Sequence, residues 1–204
     1  MSYQPQYFEA YSRQLPASLR NEQFTMIEFG TRGGQSIRTW KEYFPKAFIV
    51  GVDLNPQERF PGDPRVTVYQ GSQADTQLLR KLCDTYRDIR LIIDDASHAP
   101  EHIQQTFRGL FDCMQPNSYY VMEDVYNLFQ PSPPCSNNIN HRFYNELIDG
   151  VNNPYRRFVC ASKQLSSLEA GMYSIAFYSN IVFIHKRNNT LPFQHFFRKS
   201  LLQE

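Results

Sequence analysis

The stretch "LIIDDASHAPEH", Leu91 to His102, places two adjacent aspartates, a serine and two histidines directly after an apolar run. A second run, "YVMED", ends on Glu123 and Asp124. If the two runs are neighbouring strands, Asp94, Asp95, Glu123 and Asp124 converge on one edge of a sheet. Four carboxylates that close repel one another unless a cation neutralises them or they keep their protons. A hard divalent ion with oxygen ligands, Mg²⁺ being the usual one, is the economical solution. His98 beside such an ion suits a general base, because imidazole changes charge near neutral pH. Each residue also has a plainer reading: Asp95 or Ser97 as a cap for a helix starting near Pro100, His98 as a turn residue, Glu123 and Asp124 as solvated acids. Asp95, His98 and His102 further match an Asp-x-x-His-x-x-x-His spacing, but the H-E-x-x-H order of zinc hydrolases is absent.

The segment "EFGTRGGQS" follows an earlier apolar run and opens a helix. Glycines at such a turn let the backbone approach a ligand, and the free N–H groups of a helix N-terminus suit an anionic group. Gly30, Gly33 and Gly34 fill this role, with Ser36 as a hydroxyl donor; the dinucleotide pattern G-x-G-x-x-G is not present. Asp53 closes the next strand about 20 residues on, where doubly wound folds grip a ribose diol. Together they indicate an adenosine-type ligand. In "GSQAD", Ser72, Gln73 and Asp75 lie where a base edge would sit, and Asp75 or Ser72 reads equally as a helix N-cap.

These residues need a scaffold that brings strand ends together. Short apolar runs separated by segments of helical length predict a doubly wound α/β sheet. "FTMIEFG", "AFIVGVDL", "RVTVYQG", "IRLIIDD" and "SYYVMED" read as strands, each ending in Gly or an acid or close beside one. "GQSIRTWKEYF", "ADTQLLRKLCDTY", "PEHIQQTFRGLFDCM" and "INHRFYNELIDGV" read as helices. "VYNLFQPSPPCSNN" is Pro-rich and reads as a loop over the sheet's carboxyl edge. "GMYSIAFYSNIVFIHKR" reads as a hairpin turning at Ser179-Asn180, a departure from sheets that end on a parallel strand. The tail "LPFQHFFRKSLLQE" reads as a short amphipathic helix, packed on the body or on a second subunit of a homo-oligomer.

With 204 residues the chain accommodates one substantial core. Its 21 basic and 20 acidic residues are dispersed, which argues against a nucleic-acid or membrane-surface partner. Cys83, Cys113, Cys135 and Cys160 are far apart, so neither a zinc knuckle nor a disulfide framework is indicated. No signal-peptide pattern or span of ~18 apolar residues stands out, and the expectation is a soluble cytoplasmic protein.

In joint order and spacing, "IEFGTRGGQSIRTWKEYFPKAFIVGVDLNP", "RVTVYQGSQADTQLLRKL", "LIIDDASHAPEHIQQTFRGLF", "YYVMEDVY" and "SIAFYSNIVFIHKR" resemble the macrocin and mycinamicin type of S-adenosylmethionine-dependent O-methyltransferases, a family that also contains proteins named cephalosporin hydroxylases. The resemblance runs from about Thr25 to Arg187. It implies a Rossmann-like class I methyltransferase fold: a seven-stranded, mostly parallel sheet with an antiparallel last strand and helices on both faces. It divides the chain into an N-terminal segment (1–24), a methyltransferase domain (25–187) and a tail (188–204). It implies that Gly30, Gly33 and Ser36, with Glu28 counted among the cofactor-binding residues, line the methionine end of S-adenosylmethionine. Asp53 is then placed at the ribose, Ser72, Gln73 and Asp75 at the adenine side, and Asp94 near the cofactor. Asp95, Glu123 and Asp124 would hold Mg²⁺, with His98 as general base toward a small-molecule hydroxyl acceptor.

Three departures stand out. Ala96 replaces the usual glycine of "DDGSH", which would shift the turn carrying His98 if that position needs a positive φ. Ala176 and Ser179 replace the histidine and aspartate of an "HFYD" stretch. The sugar-specific members carry a longer region before the first strand, so the acceptor pocket is expected to be built differently, with Tyr126, Phe129, Phe143, Tyr144 and residues 131–138 as candidate walls. A rival reading is a cofactor-binding fold reused as a cyclase or another non-methylating catalyst.

Overall fold

The computed structural model describes residues 5–125, 139–159 and 166–188. The helices are α1 (Pro5–Gln14), α2 (Gln35–Tyr43), α3 (Thr76–Thr85), α4 (Pro100–Leu110), α5 (Ile139–Val159) and α6 (Ser167–Gly171). The strands are β1 (Thr25–Phe29), β2 (Phe48–Asp53), β3 (Val66–Gln70), β4 (Ile89–Asp94), β5 (Ser118–Glu123), β6 (Met172–Tyr178) and β7 (Ile181–Lys186). They form one seven-stranded sheet in the order β3-β2-β1-β4-β5-β7-β6. β1 to β5 are parallel, and β7 runs antiparallel to both β5 and β6. The reversal comes from the tight turn at Ser179 and Asn180, where Asn180 takes a φ of 65°. The hairpin expectation therefore holds.

Successive side chains of a strand face opposite sides, so each strand feeds two cores. Ile27, Phe29, Val50, Val52, Ile92, Tyr120 and Met122 pack with Leu79 and Leu82 of α3, Ile103, Phe107 and Leu110 of α4, and Phe143 and Leu147 of α5. The intervening Met26, Leu91, Ile93, Tyr119 and Val121 pack with Ala10 and Tyr11 of α1 and with Phe44 just after α2. Burial of such side chains contributes about 1.5–3 kcal/mol each and fixes which face every strand-end residue meets.

Two expectations are corrected. Cys83 and Cys113 form a disulfide, with Cα atoms 5.6 Å apart. Helices α3 and α4 both return antiparallel to the strands and lie side by side, so their C-terminal ends meet although 30 positions separate the cysteines. Linear spacing does not report that proximity. Phe143 and Tyr144, read as pocket walls, are core residues: Phe143 sits edge-on to Phe107 at 5.8 Å and Tyr144 packs against Phe177 at 5.7 Å. Tyr126, Phe129, the Pro-rich loop, Cys135, Cys160 and the amphipathic tail lie outside the described residues. No helix among the described residues is long and apolar enough to cross a membrane.

Candidate active site

The carboxyl ends of β1, β4 and β5 meet at the glycine turn. Gly30, at φ 93°, donates its N–H to the Val52 carbonyl at 2.8 Å. A Cβ there would fall 2.0 Å from the Asp95 carbonyl oxygen, so only glycine lets the two strand ends close. Gly34, at φ 75°, is the N-cap of α2, and the carbonyl of Gly33 accepts from the Arg38 guanidinium at 3.0 Å. The Thr31 hydroxyl within this turn is buried with no hydrogen-bond partner among the described residues. Asp53 braces the same turn, accepting backbone N–H bonds from Arg32 and Asn55, each at 2.7 Å.

Ser36 does not aim its proton at open space. Its Oγ donates to Glu28 Oε2 at 2.9 Å, while the Trp40 indole donates to Oε1 at 3.2 Å. Glu28 is buried on the α1–α2 face, and that burial, with the nearby Glu123 charge adding to it, pushes its pKa up to about 8.

The "GSQAD" residues divide. Ser72 Oγ accepts the Ala74 N–H at 3.2 Å in a partly exposed turn. Asp75 is the N-cap of α3, accepting from the N–H groups of Gln77 and Leu78. Gln73 is buried: its amide nitrogen donates to Asp94 Oδ1 at 2.8 Å and to Thr106 Oγ1 at 3.0 Å, and its oxygen accepts the Ser97 N–H at 2.8 Å. The N-cap reading of Asp75 therefore holds, with both N–H bonds on its Oδ1, and the Gln73 side chain is engaged in bracing the loop.

Asp94 and Asp95 are split by the strand's own alternation. Asp94 faces the α3–α4 side, where Gln73 and the Tyr120 hydroxyl, at 3.3 Å, donate to it. Burial raises its pKa to about 6 against those donors. Asp95 faces the α1 side, where burial and then the charges of Glu123, Glu28 and Asp124 push it up to about 9. His98 Nε2 lies 4.0 Å from Asp95 Oδ1. The doubt over Ala96 is resolved: the left-handed residue of this turn is His98, at φ 54°, and Ala96 packs its methyl against the core. His102 pairs its Nδ1 with Ser97 Oγ at 2.9 Å, and among the described residues it is Asp124, not His102, whose ligand atom clusters with those of Asp95 and His98.

At the end of β5, Glu123 Oε1 accepts the Tyr11 hydroxyl at 2.6 Å, and burial pushes its pKa up to about 7. Asp124, at φ 50°, accepts the Tyr7 hydroxyl at 2.7 Å and the Asn180 amide at 2.9 Å on the same oxygen, Oδ1. Asn180 follows the departing Ser179, while Ala176 packs against the core of the α1 face. The two tyrosines escaped sequence reasoning. Their one signal is the i, i+4 spacing in "YFEAY", which puts both hydroxyls on one face of α1.

One ligand atom each from Asp95, His98 and Asp124 lies within 4.8 Å of the other two. Two carboxylates and an imidazole that close, at a site where burial and neighbouring carboxylates hold Asp95 toward its protonated form, fit a divalent cation with a preference for oxygen. Glu123 stands behind this trio, turned toward Tyr11.

This sheet order, with a glycine turn on its central strand and acids on the two adjoining strand ends, defines a class I methyltransferase architecture. No protein-family model matches the chain. It is 30% identical over 198 residues to an 8-demethyl-8-alpha-L-rhamnosyl tetracenomycin-C 2'-O-methyltransferase of Streptomyces olivaceus, covering 90% of this chain and 51% of that protein. It is 33% identical over 119 residues to the demethylmacrocin O-methyltransferase of Streptomyces fradiae, covering 55% of this chain and 30% of that one. Among solved structures, a MycE methyltransferase of the mycinamycin biosynthetic pathway, in complex with Mg, SAH and mycinamycin VI, matches with a TM-score of 0.78 at 25% identity. That match covers 95% of this chain and 54% of that one. Over the part it shares with them, the chain is similar to O-methyltransferases of the macrocin and mycinamicin type. It spans about half the length of the Streptomyces olivaceus relative and of the MycE chain.

Proposed function

We propose that the protein transfers a methyl group from S-adenosylmethionine to a hydroxyl of a small sugar-like or polyol natural product, with Mg²⁺ at the acidic strand ends. The observation that carries this reading is the convergence of Asp95, His98 and Asp124 beside the glycine turn. When bound, the cation would acidify and orient the acceptor hydroxyl, and the cofactor would supply an electrophilic methyl. Gly30, Gly33 and Gly34 keep tight the turn at which the methionine end of the cofactor would sit, and Glu28, held by Ser36 and Trp40, would lie beneath it. Asp53 retains lone pairs for a ribose diol, and Ser72 is the "GSQAD" residue whose place in a partly exposed turn suits the adenine side. Asp95 and Asp124, with Glu123 behind them, hold the cation.

His98 takes the proton from the acceptor hydroxyl. The freed oxygen bonds to the methyl carbon as the carbon–sulfur bond breaks, leaving S-adenosylhomocysteine. Much of the rate then comes from holding oxygen and methyl in line. The relatives named above as sugar O-methyltransferases support this acceptor class. Incubation with S-adenosylmethionine, Mg²⁺ and a panel of rhamnosylated and deoxysugar acceptors tests it. Metal-dependent release of S-adenosylhomocysteine is expected. Cofactor and metal binding with no methylated product from any acceptor would instead favour the non-methylating catalyst.

A further inference from the structure

We infer that Tyr7 and Tyr11 of α1 are positioning residues for the cation, pinning Asp124 so that one of its oxygens is left to face the metal and fixing Glu123 behind it; this rests on the metal-dependent reading above. Consecutive residues of an extended strand point to opposite faces, so Glu123 and Asp124 should diverge. They do not, because Asp124 turns into the left-handed region at φ 50° and both carboxylates meet the same helix. That conformation is one that residues with a side chain seldom adopt, and here its surroundings hold it.

Tyr7 is the holder. Its oxygen accepts the Asp124 N–H at 3.3 Å and donates toward Asp124 Oδ1 at 2.7 Å, so one hydroxyl grips both the backbone and the side chain. The Asn180 carbonyl is also near, at 3.0 Å, but a hydroxyl has one proton and the shorter, charge-assisted contact takes it. The Asn180 amide adds a second donor to the same Oδ1. Tyr11 does the corresponding job on Glu123 Oε1 from one helical turn further along, at 2.6 Å and fully inside the protein. Its ring is fixed edge-on between Trp40 at 5.2 Å and Phe183 at 5.1 Å. Among the described residues neither Oδ2 of Asp124 nor Oε2 of Glu123 carries a hydrogen bond. Two carboxylates that would repel and swing apart are thus held in one orientation, with the spare oxygen of Asp124 on offer.

The test uses the full chain and Mn²⁺ as the probe, with free Mn²⁺ read by electron paramagnetic resonance. Wild type is compared with Tyr7→Phe, Tyr11→Phe and a control, Ser12→Ala, which removes an exposed hydroxyl from the same helix. Far-UV melting of the metal-free proteins shows that each is folded at the assay temperature, and if Tyr11→Phe is not, Tyr7→Phe decides. The expected result is a loss of about tenfold in Mn²⁺ affinity for each tyrosine variant, as outer-shell partners of metal ligands typically show. The control should stay within about twofold. Affinities within about twofold of wild type for folded tyrosine variants would overturn the inference and leave the metal site standing. No Mn²⁺ binding by wild type would overturn both.

Discussion

Asp94 and Asp95 are neighbours in sequence and opposites in environment. On the α3–α4 side, Asp94 is closed in by neutral donors: Gln73 and Tyr120 meet its oxygens, and Gln73 is itself tied to Thr106 and Ser97. On the α1 side, Asp95 faces Glu123, Glu28 and Asp124, and its pKa is driven up to about 9. Asp94 is fully buried, while Asp95 keeps 18% of its side chain exposed. Their surroundings differ as well: one has its charge met by hydrogen bonds within the protein, and the other faces carboxylates, which on the proposed function leaves it for a ligand of opposite charge. On the proposed function, the same strand supplies a strut and a binding group from adjacent positions.

The comparison can be broken from either side. His98→Ala and Asp95→Ala should give the largest effect, a loss of roughly 10²- to 10⁴-fold in turnover. Calorimetry should show S-adenosylmethionine binding nearly unchanged in both. Gly30→Ala, whose Cβ would meet the Asp95 carbonyl, should destabilise the fold by about 2–5 kcal/mol in urea titrations, because the two sides share that crossing point. Gln73→Ala, which strips the strut side alone, should cost about 1–3 kcal/mol by leaving Asp94 under-satisfied, and should weaken metal binding little.

Glu28→Gln removes a pH slope rather than an activity. A buried carboxyl whose folded pKa, about 8, lies above its unfolded value of 4.5 adds stability fully present below pH 4.5 and lost as pH rises through 8. Melting of the metal-free wild type should therefore weaken across that window, and the variant should show a flatter profile.

The sheet was legible because its strands are short apolar runs ending in or beside glycine or acid, and the Ser179-Asn180 turn marked the antiparallel end. The convergence of Asp95, His98 and Asp124 followed from placing two strand ends side by side. Three features could not be read that way. Tyr11 and Glu123 are 112 positions apart, and nothing in "YFEAY" says which strand end α1 covers. Gln73 looked like a ligand contact because a polar residue at a strand end is available to either a ligand or a loop, and only the fold shows that Asp94, Thr106 and Ser97 claim it. The strain expected at Ala96 sits two residues later, at His98, since motif position alone does not fix φ.

The most direct test of the divided pair is a Mg²⁺ titration, followed by calorimetry, of wild type, Asp94→Asn and Asp95→Asn. Asp95→Asn should abolish measurable Mg²⁺ binding, while Asp94→Asn, confined to the strut side, should bind within a few-fold of wild type. Equal losses in both variants, or retained binding in Asp95→Asn, would contradict the account.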